Sequence, residues 1–308
     1  MQPTNNRTKR RHEGIVVPMV TPFTREGDLD EAAVGRLVDH MIAGGVTGIF
    51  VLGTTGEAAS MPLKMRSRLV RTIVERVNGG ASVYVGIGDN CVSDSVEMAQ
   101  AGLKLGVDAV VAHLPAYYFL NPKEMFDYYA LLSERIDGPL VLYNMPATTR
   151  MSIPVEIVAT LSRLSRIVAL KDSENDVARL EQIVHQLGKR DDFSLLVGAS
   201  GLSARGLRMG MDGVVPSTAN LFPRLWSDLY QAAKRDDFVT VDQIQSQLNR
   251  VARVLQQERT LGQAVAALKT AMSIRGLCEP SVLPPLNPLT AEQTRKIRDE
   301  LDLLVEAT

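Results

Sequence analysis

Lys171 is the side chain in this sequence best placed for covalent chemistry. It directly follows the apolar run 167–170, so its amine is expected to emerge from the end of a buried strand. Burial disfavours the charged form of lysine, and a neutral amine can attack a carbonyl carbon to form a Schiff base. The alternative is a lysine whose flexible stem carries its charge out to water. The other lysines lie in polar helices or near the N-terminus, and Lys269, in AVAALKTAM, is expected to be a solvated amine on an outer helix.

Hydroxyl groups that follow two other apolar runs favour Schiff-base chemistry at Lys171. Tyr143 lies near the end of one run, and a phenol beside the amine can transfer the protons that imine formation requires. Thr54 and Thr55 lie in the glycine-bounded turn GTTGE, whose hydroxyls and backbone amides suit a carboxylate and a hydrogen-bond relay to the phenol. Without Lys171 the same turn would be a plain strand-to-helix connection with a threonine cap.

Eight short apolar runs alternate with amphipathic segments and must position these side chains. Such runs are typical of parallel strands that are covered on both faces, and the count of eight favours closure into a (β/α)8 TIM barrel. Active sites of these barrels lie at the C-terminal ends of the strands, which is where the lysine, the phenol and the threonines fall. The predicted strands are 15–20, 48–52, 82–86, 109–113, 140–144, 167–171, 194–198 and 213–217.

The chain is predicted to form one catalytic barrel with additions at both ends. The barrel takes residues 13–220, and a C-terminal helical appendage takes residues 221–308, because consecutive helices replace the alternating pattern. Residues 1–12 are expected to form a flexible basic tail. An open doubly wound sheet that binds a dinucleotide would need a glycine-rich turn after the first strand, and TPFTREGD follows there instead.

Composition argues against several other classes of protein. The 34 basic and 35 acidic residues give a net charge of -1, which offers no reason to expect nucleic acid or a membrane surface as partner. No run approaches the ~20 apolar residues of a membrane span, and no signal-peptide core is present, so we expect a cytoplasmic protein. The 2 cysteines are too few for a cysteine zinc site, and the 4 histidines are scattered, so no metal is predicted. Of the histidines only His113 lies near a strand end, where a core or rim position is expected.

Four motifs, in this order and spacing, make the chain resemble the dihydrodipicolinate synthase / N-acetylneuraminate lyase family of class I aldolases. They are GTTGE at 53–57, YNMP at 143–146, LKDS at 170–173 and GVVPSTAN at 213–220. PMVTPF and LPPLNPL agree, and the resemblance runs from about Gly14 to the C-terminal helices. It implies a Schiff-base-forming lyase that acts on pyruvate and an aldehyde without a cofactor. It also implies a homotetramer built as a dimer of dimers.

The resemblance implies the catalytic roles. Lys171 would form the imine with the 2-oxo acid, and Tyr143 would be the general acid and base. Thr54 would link Tyr143 to a second tyrosine, which a partner subunit donates across a dimer interface. Counting back from Tyr143 assigns that second tyrosine to Tyr117, with Tyr118 as the competing choice.

Substrate-binding positions are implied in the same way. Thr55 and its backbone amide would hold the carboxylate, and backbone groups of Gly198 and Val215 would line the same pocket. Synthases of the family grip the second substrate's carboxylate with an arginine where this chain has Thr148, and Arg150 is the nearest candidate to replace it. The loss of a bidentate clamp is not a conservative change, so it points to a different second substrate.

The sequence features that distinguish family members by substrate point to two different substrates in this chain. The Asp172 that follows the lysine, and LPPLNPL, resemble aldolases and dehydratases of 2-keto-3-deoxy sugar acids, whereas GTTGE is the form found in synthases. We interpret the chain as an aldolase for a 2-keto-3-deoxy sugar acid or a related hydroxylated 2-oxo acid. The alternative is 4-hydroxy-tetrahydrodipicolinate synthase, and the alternative from another class is a non-catalytic sensor of a 2-oxo acid.

Overall fold

Eight parallel strands close into a barrel in the order β1 to β8, which confirms the predicted (β/α)8 fold. The structure is a computed structural model that describes residues 12–306. Each strand pairs with its neighbours in the chain, and β1 pairs with β8 to complete the ring. The strands are β1 Gly14–Pro18, β2 Gly48–Val51, β3 Ser82–Gly86, β4 Ala109–His113, β5 Leu140–Asn144, β6 Ile167–Asp172, β7 Ser194–Val197 and β8 Gly213–Val214.

The helices form the outer layer of the barrel and then continue beyond it. Local sequence sets their ends: the first begins where the Asp30 side chain accepts a hydrogen bond from the Ala33 amide at 2.9 Å, and it ends at Gly44. The barrel helices are α1 Glu31–Ala43, α2 Leu63–Val77, α3 Val92–Leu105, α4 Pro122–Arg135, α5 Pro146–Thr149, α6 Val155–Leu161, α7 Val177–Leu187 and α8 Ser203–Arg208. The C-terminal helices are α9 Pro223–Lys234, α10 Phe238–Gln256, α11 Leu261–Ile274 and α12 Ala291–Glu306.

The seam between β1 and β8 is shorter than the sequence pattern predicts. Pro216 has no amide hydrogen, so the ladder cannot continue along β8 to its predicted end. The Asn220 side chain replaces the missing ladder bonds: its amide donates to the Pro18 carbonyl and its oxygen accepts from the Val20 amide, both at 2.9 Å. A buried side chain therefore completes the barrel at the end of the strands where the site is expected.

The opposite end of the barrel is closed by aromatic and polar contacts. His12, assigned by sequence to the flexible tail, lies against this end, and its Nδ1 is 2.9 Å from the Tyr84 hydroxyl. The reason is that a phenol buried inside the barrel needs a hydrogen-bond partner, and the imidazole supplies it. Residues 1–11, the rest of the predicted tail, lie outside the described residues.

The C-terminal helices pack onto the barrel next to the end of β8. In α9 the buried Trp226 donates through Nε1 to the Thr218 hydroxyl at 3.0 Å. At the end of α10, Gln256 donates to the Ser217 hydroxyl at 3.1 Å. These contacts bring α10 to the barrel mouth, where its side chains can face a substrate. Within residues 12–306 no helix is both long and apolar enough to cross a membrane.

Candidate active site

The side chain of Lys171 lies inside the barrel mouth and is almost fully buried, with 5% of its surface exposed. Tyr143 is its direct neighbour on β5, because the two residues are paired in register between the adjacent strands. Nζ of Lys171 is 3.9 Å from the centroid of the Tyr143 ring and 4.7 Å from that of Phe50. The amine therefore lies between two aromatic rings, one of which is the phenol of Tyr143.

Asp172 lies on the opposite face of the same strand, because successive residues of a strand alternate in direction. Its carboxylate accepts hydrogen bonds from Asn144 at 3.0 Å and from the Arg179 guanidinium on α7 at 2.8 Å. Burial raises the pKa of Asp172, and the charge of Arg179 opposes that shift. The residue that distinguishes Lys-Asp from Lys-Glu sequences thus packs between strand and helix and does not face the substrate.

The lysine and the phenol shift each other's protonation. Burial lowers the pKa of Lys171. For Tyr143 burial acts to raise the pKa, but the charge of Lys171 and hydrogen bonds from Thr54, Lys171 and Ser173 outweigh it, and the pKa falls. Both shifts favour a pair in which a proton passes easily from one group to the other, as general acid–base catalysis requires.

The GTTGE turn, which holds Thr54 and Thr55, is fixed by its own backbone. The Gly56 amide donates to the Gly53 carbonyl at 3.1 Å, and the Glu57 amide donates to the Thr54 carbonyl at 3.2 Å. Glu57 adopts the left-handed conformation, with φ 58°. Thr54 and Thr55 line the same cavity as Lys171, and Thr54 is hydrogen-bonded to the phenol of Tyr143.

Lys269 is the largest departure from the sequence-based expectation. It is fully buried rather than solvated, and its Nζ donates to the Glu57 carboxylate at 2.7 Å. The second carboxylate oxygen of Glu57 accepts from the Leu283 amide at 2.8 Å, and Nζ of Lys269 lies 4.3 Å from the centroid of the Phe23 ring. The helix α11 is apolar on all sides, which is typical of a buried helix, so the prediction of an outer helix was wrong.

A cavity of about 820 Å³ opens from Lys171 toward the C-terminal helices. Its volume falls within the range of small-molecule sites. The structure brings together six of the residues that the sequence singled out, all of them on the wall of this cavity: Lys171, Tyr143, Thr54, Thr55, Gly198 and Val215. Gly198 has a clear reason to be glycine, because a Cβ there would collide with the Ser173 hydroxyl.

Three other predicted residues lie away from this wall. The Thr148 hydroxyl, in the short helix α5, donates to the Met145 carbonyl at 3.2 Å, and Arg150 ends that helix as an exposed residue. Neither lines the cavity, so a substrate contact for them stays a prediction. Tyr117 is 77% exposed and its ring packs at 4.9 Å against that of Tyr118. Within one chain it does not reach the cavity.

Several cavity residues were not predicted. Ser173 is the last residue of the LKDS motif and was left without a role, although it directly follows the strand end. Asn249, Arg253 and Gln256 come from α10, and Arg259 comes from the turn that follows it. Nothing in the periodicity of α10 says which of its faces meets the barrel, because that depends on packing between distant segments.

The described residues contain no group of three His, Cys, Asp or Glu side chains arranged to hold a metal ion. His113 lies at the end of β4, where its Nδ1 is 2.8 Å from the Leu114 carbonyl oxygen. Its ring meets the Tyr143 ring edge to face, with the centroids 6.3 Å apart. Burial lowers the pKa of His113, so it packs as a neutral ring next to the phenol.

A (β/α)8 barrel with a buried lysine and a phenol in its mouth has the architecture of a class I aldolase. The model of the dihydrodipicolinate synthetase family matches residues 11–304, and the chain belongs to that family. Members of the family are pyruvate-dependent lyases and synthases, and this chain is an enzyme of that class. The resemblance inferred from the four motifs is thereby confirmed.

Relatives with related names cover nearly the whole chain. A 4-hydroxy-tetrahydrodipicolinate synthase of Methanothermobacter thermautotrophicus is 33% identical over 87% of this chain and 95% of its own. The dihydrodipicolinate synthase structure from Bacteroides thetaiotaomicron has a TM-score of 0.90 and 31% identity, covering 94% of this chain and 98% of that one. A prophage protein of the same family from E. coli K12, solved with pyruvate, has a TM-score of 0.90 and 26% identity over 96% of this chain and 99% of its own.

Proposed function

We propose that this enzyme makes or breaks a carbon–carbon bond between pyruvate and an aldehyde through an imine on Lys171, with a 2-keto-3-deoxy sugar acid or a related hydroxylated 2-oxo acid as substrate. The observation that carries the proposal is the environment of the amine. Lys171 is buried, and no carboxylate in the described part of the chain forms an ion pair with it. Such an amine loses its proton readily, and the cavity leads directly to it.

The first step joins the amine to the 2-oxo acid. Neutral Nζ of Lys171 attacks the C2 carbonyl carbon, and the carbinolamine oxygen takes up a proton and leaves as water. Tyr143 is the group that delivers this proton, because its ring lies 3.9 Å from Nζ. In the cleavage direction the protonated imine accepts the electron pair of the C3–C4 bond, and the phenolate takes the proton of the C4 hydroxyl as the aldehyde forms. The phenol of Tyr143 then returns that proton to C3 of the resulting enamine, and hydrolysis of the imine so formed releases pyruvate.

Thr54 and Thr55 serve the two other needs of the site. Thr54 is hydrogen-bonded to the phenol of Tyr143, and it would relay protons between that phenol and a second tyrosine. Thr55, with the amides of the turn, would bind the pyruvate carboxylate next to the imine. Backbone groups of Gly198 and Val215 complete the wall at this end of the cavity.

The second tyrosine would come from another copy of the chain. Tyr117, Tyr118 and Phe119 are each more than 70% exposed, which is unusual for three consecutive aromatic residues. The loop that holds them is fixed by Asn90, whose side-chain oxygen accepts from the amides of Ala116 and Tyr117 at 2.9 and 3.2 Å. An ordered, exposed aromatic loop is suited to insertion into a partner. We therefore propose a homo-oligomer, built as a dimer of dimers, in which Tyr117 is exchanged between subunits.

The division of the chain into parts and its place in the cell are proposed on the same basis. Residues 13–220 would form the catalytic barrel and residues 221–308 a helical appendage that completes its mouth. We propose that the enzyme works in the cytoplasm, where pyruvate is available.

The alternative activity is that of a 4-hydroxy-tetrahydrodipicolinate synthase. It is supported by the names of the relatives at about a third identity and by the GTTGE turn. The same imine would then condense with an amino-bearing aldehyde rather than release a sugar-derived one. Thr148 argues against it, because a threonine cannot provide the bidentate contact of an arginine.

The experiment that tests the proposal is reduction by borohydride in the presence of pyruvate, followed by intact-mass and peptide analysis. We expect the mass of one reduced pyruvyl group per chain, located on Lys171 and absent from Lys171→Ala. Cleavage of 2-keto-3-deoxy sugar acids and condensation of pyruvate with aspartate semialdehyde are then compared. No adduct, or an adduct on another lysine, would refute the mechanism. Faster condensation than cleavage would replace the aldolase with the synthase.

A further inference from the structure

The far end of the active-site cavity has an uneven distribution of charge. Besides the Lys171 amine, two guanidinium groups line the cavity, those of Arg253 and Arg259, and none of the lining residues that the structure describes is Asp or Glu. Lys171 lies at the inner end, and both arginines lie at the outer end, in and just after α10. A cavity lined by charge of a single sign attracts ligands of the opposite sign. The substrate that fills it is therefore anionic.

One carboxylate, bound next to the imine, does not account for the two arginines. In the proposed mechanism the carboxylate next to the reacting carbonyl is bound by the GTTGE turn, and Lys171 becomes part of the imine. The arginines at the outer end then have no role in binding pyruvate. A second anionic group, at the other end of the substrate, would account for them.

Arg253 is the arginine that is available for such a group. Its side chain is exposed, and it makes no hydrogen bond or ion pair to any residue that the structure describes. Arg259 is already engaged, because it donates to the Val254 carbonyl at 2.8 Å and so stabilises the turn between α10 and α11. A free guanidinium offers two parallel donors, which is the arrangement that carboxylates and phosphates accept.

The wall between the two ends is polar in a way that suits hydroxyl groups. Ser173, Asn175 and Ser200 come from loops of the barrel, and Asn249 and Gln256 come from α10. Gln256 is held by its bond to Ser217 at 3.1 Å, so it is positioned before any ligand arrives. Uncharged donors and acceptors along the wall fit a chain of hydroxylated carbons.

We propose that Arg253 binds an anionic group at the end of the substrate far from the imine, and that the preferred substrate is a hydroxylated 2-oxo acid with a second carboxylate or a phosphate there. This inference rests on the proposed function and defines its substrate class. It also accounts for Thr148, because the second anion is bound from the C-terminal helices and not from the loop after β5.

The test compares three substrates that differ only at the far end: 2-keto-3-deoxygluconate, which ends in an alcohol, its 6-phosphate, and 2-keto-3-deoxyglucarate, which ends in a carboxylate. Arg253→Gln is the variant. Arg250→Gln is the matched control, because Arg250 lies on the same helix but does not line this cavity. Arg253→Lys keeps the charge and loses the paired donors.

In the wild type we expect higher kcat/KM for an anionic-ended substrate, and the preferred one of the two identifies the group. Arg253→Gln should lower that kcat/KM by ~10- to 100-fold, the range for a charged hydrogen bond, mainly through KM. The loss on the alcohol-ended substrate should be much smaller than on the anionic-ended one, and Arg253→Lys should recover part of the larger loss.

Three results would overturn the inference: equal losses on all three substrates, no loss on any, or the same loss in Arg250→Gln. Borohydride trapping with pyruvate separates this failure from failure of the proposed function. If wild type and Arg253→Gln both trap pyruvate on Lys171, the mechanism stands whatever the substrate profile shows.

Discussion

Two lysines of this barrel are buried to nearly the same degree but differ in their electrostatic surroundings. Lys171 is 5% exposed and lies between the rings of Tyr143 and Phe50. Lys269 is 0% exposed, lies over the ring of Phe23, and donates to a carboxylate at 2.7 Å. Burial lowers the pKa of both amines, but only for Lys269 does the charge of a carboxylate oppose the shift.

Burial alone therefore does not make a lysine reactive. A buried ammonium paired with a carboxylate remains charged, and it is expensive to remove because the partner is left alone in the interior. A buried amine without a carboxylate is easily deprotonated and can act as a nucleophile. The chain uses the first arrangement to hold the GTTGE turn, and the second is the one that the proposed mechanism requires of Lys171.

Replacement of Lys171 by alanine should have the largest effect. Turnover and reductive trapping of pyruvate should both be lost, since Lys171 has the only amine among the described residues that line the cavity. The free energy of unfolding should be unchanged or higher, because the variant no longer buries an amine without a counterion. Stopped-flow turnover and urea unfolding measure the two effects. A trapped adduct in the variant would transfer the role to another lysine.

Replacement of Lys269 by methionine should show the reverse pattern. We expect the free energy of unfolding to fall by about 3–5 kcal/mol, the usual cost of removing one partner of a buried ion pair. Pyruvate should still be trapped on Lys171 at temperatures where the variant is folded. The double variant Lys269→Met/Glu57→Gln removes the unpaired charge but keeps an acceptor for the Leu283 amide, so it should regain part of the lost stability. A double variant as unstable as the single one would contradict the pairing.

Replacement of Tyr143 by phenylalanine tests the phenol without changing the packing of its ring. We expect pyruvate binding to persist and turnover to fall by about 100-fold, the scale of a lost acid–base group. The pH profile of kcat/KM should also lose one of its limbs. Normal turnover would show that another group moves the proton.

A smaller effect of the buried Lys171 amine is expected in the pH dependence of stability. The pKa of Lys171 in the folded protein is lower than the usual 10.5 of the unfolded chain. The unfolded state therefore binds more protons between those two pKa values, and stability rises with pH across that window, by at most ~1.4 kcal/mol per pH unit. Lys171→Met should remove the contribution of Lys171 and leave that of Lys269, whose pKa burial also lowers. Urea unfolding over a pH series provides the measurement, and identical slopes in wild type and variant would exclude a shifted amine.

The local sequence was sufficient to place Lys171 and Tyr143 at the ends of neighbouring strands of a barrel. Lys171 and Tyr143 each follow a short apolar run, and the barrel geometry places every strand end at one mouth. The four motifs added the family and the roles. The strand boundaries were accurate to within one residue except at β1 and β8, where the Asn220 side chain takes over from the ladder.

What escaped prediction depends on contacts between distant segments. Lys269 and its partner Glu57 are 212 residues apart, so no local pattern connects them. The apolar sequence of the helix around Lys269 does, however, indicate that this lysine is buried. The position of Arg253 at the mouth depends on how α10 packs. The placement of Thr148 depends on the short helix α5, whose conformation the motif YNMPATTR does not reveal.

The span of the Glu57–Lys269 contact also sets an order of events when the protein is made. The GTTGE turn and all eight strands are synthesised before α11. N-terminal segments generally begin to fold first, so the barrel would collapse around a carboxylate that still lacks its cation. The ammonium that completes the pair arrives with the last part of the chain. A chain that ends before α11 would thus contain Lys171 and Tyr143 but lack the Glu57–Lys269 contact that holds the GTTGE turn. The defect of such a truncated chain would therefore lie in the candidate active site.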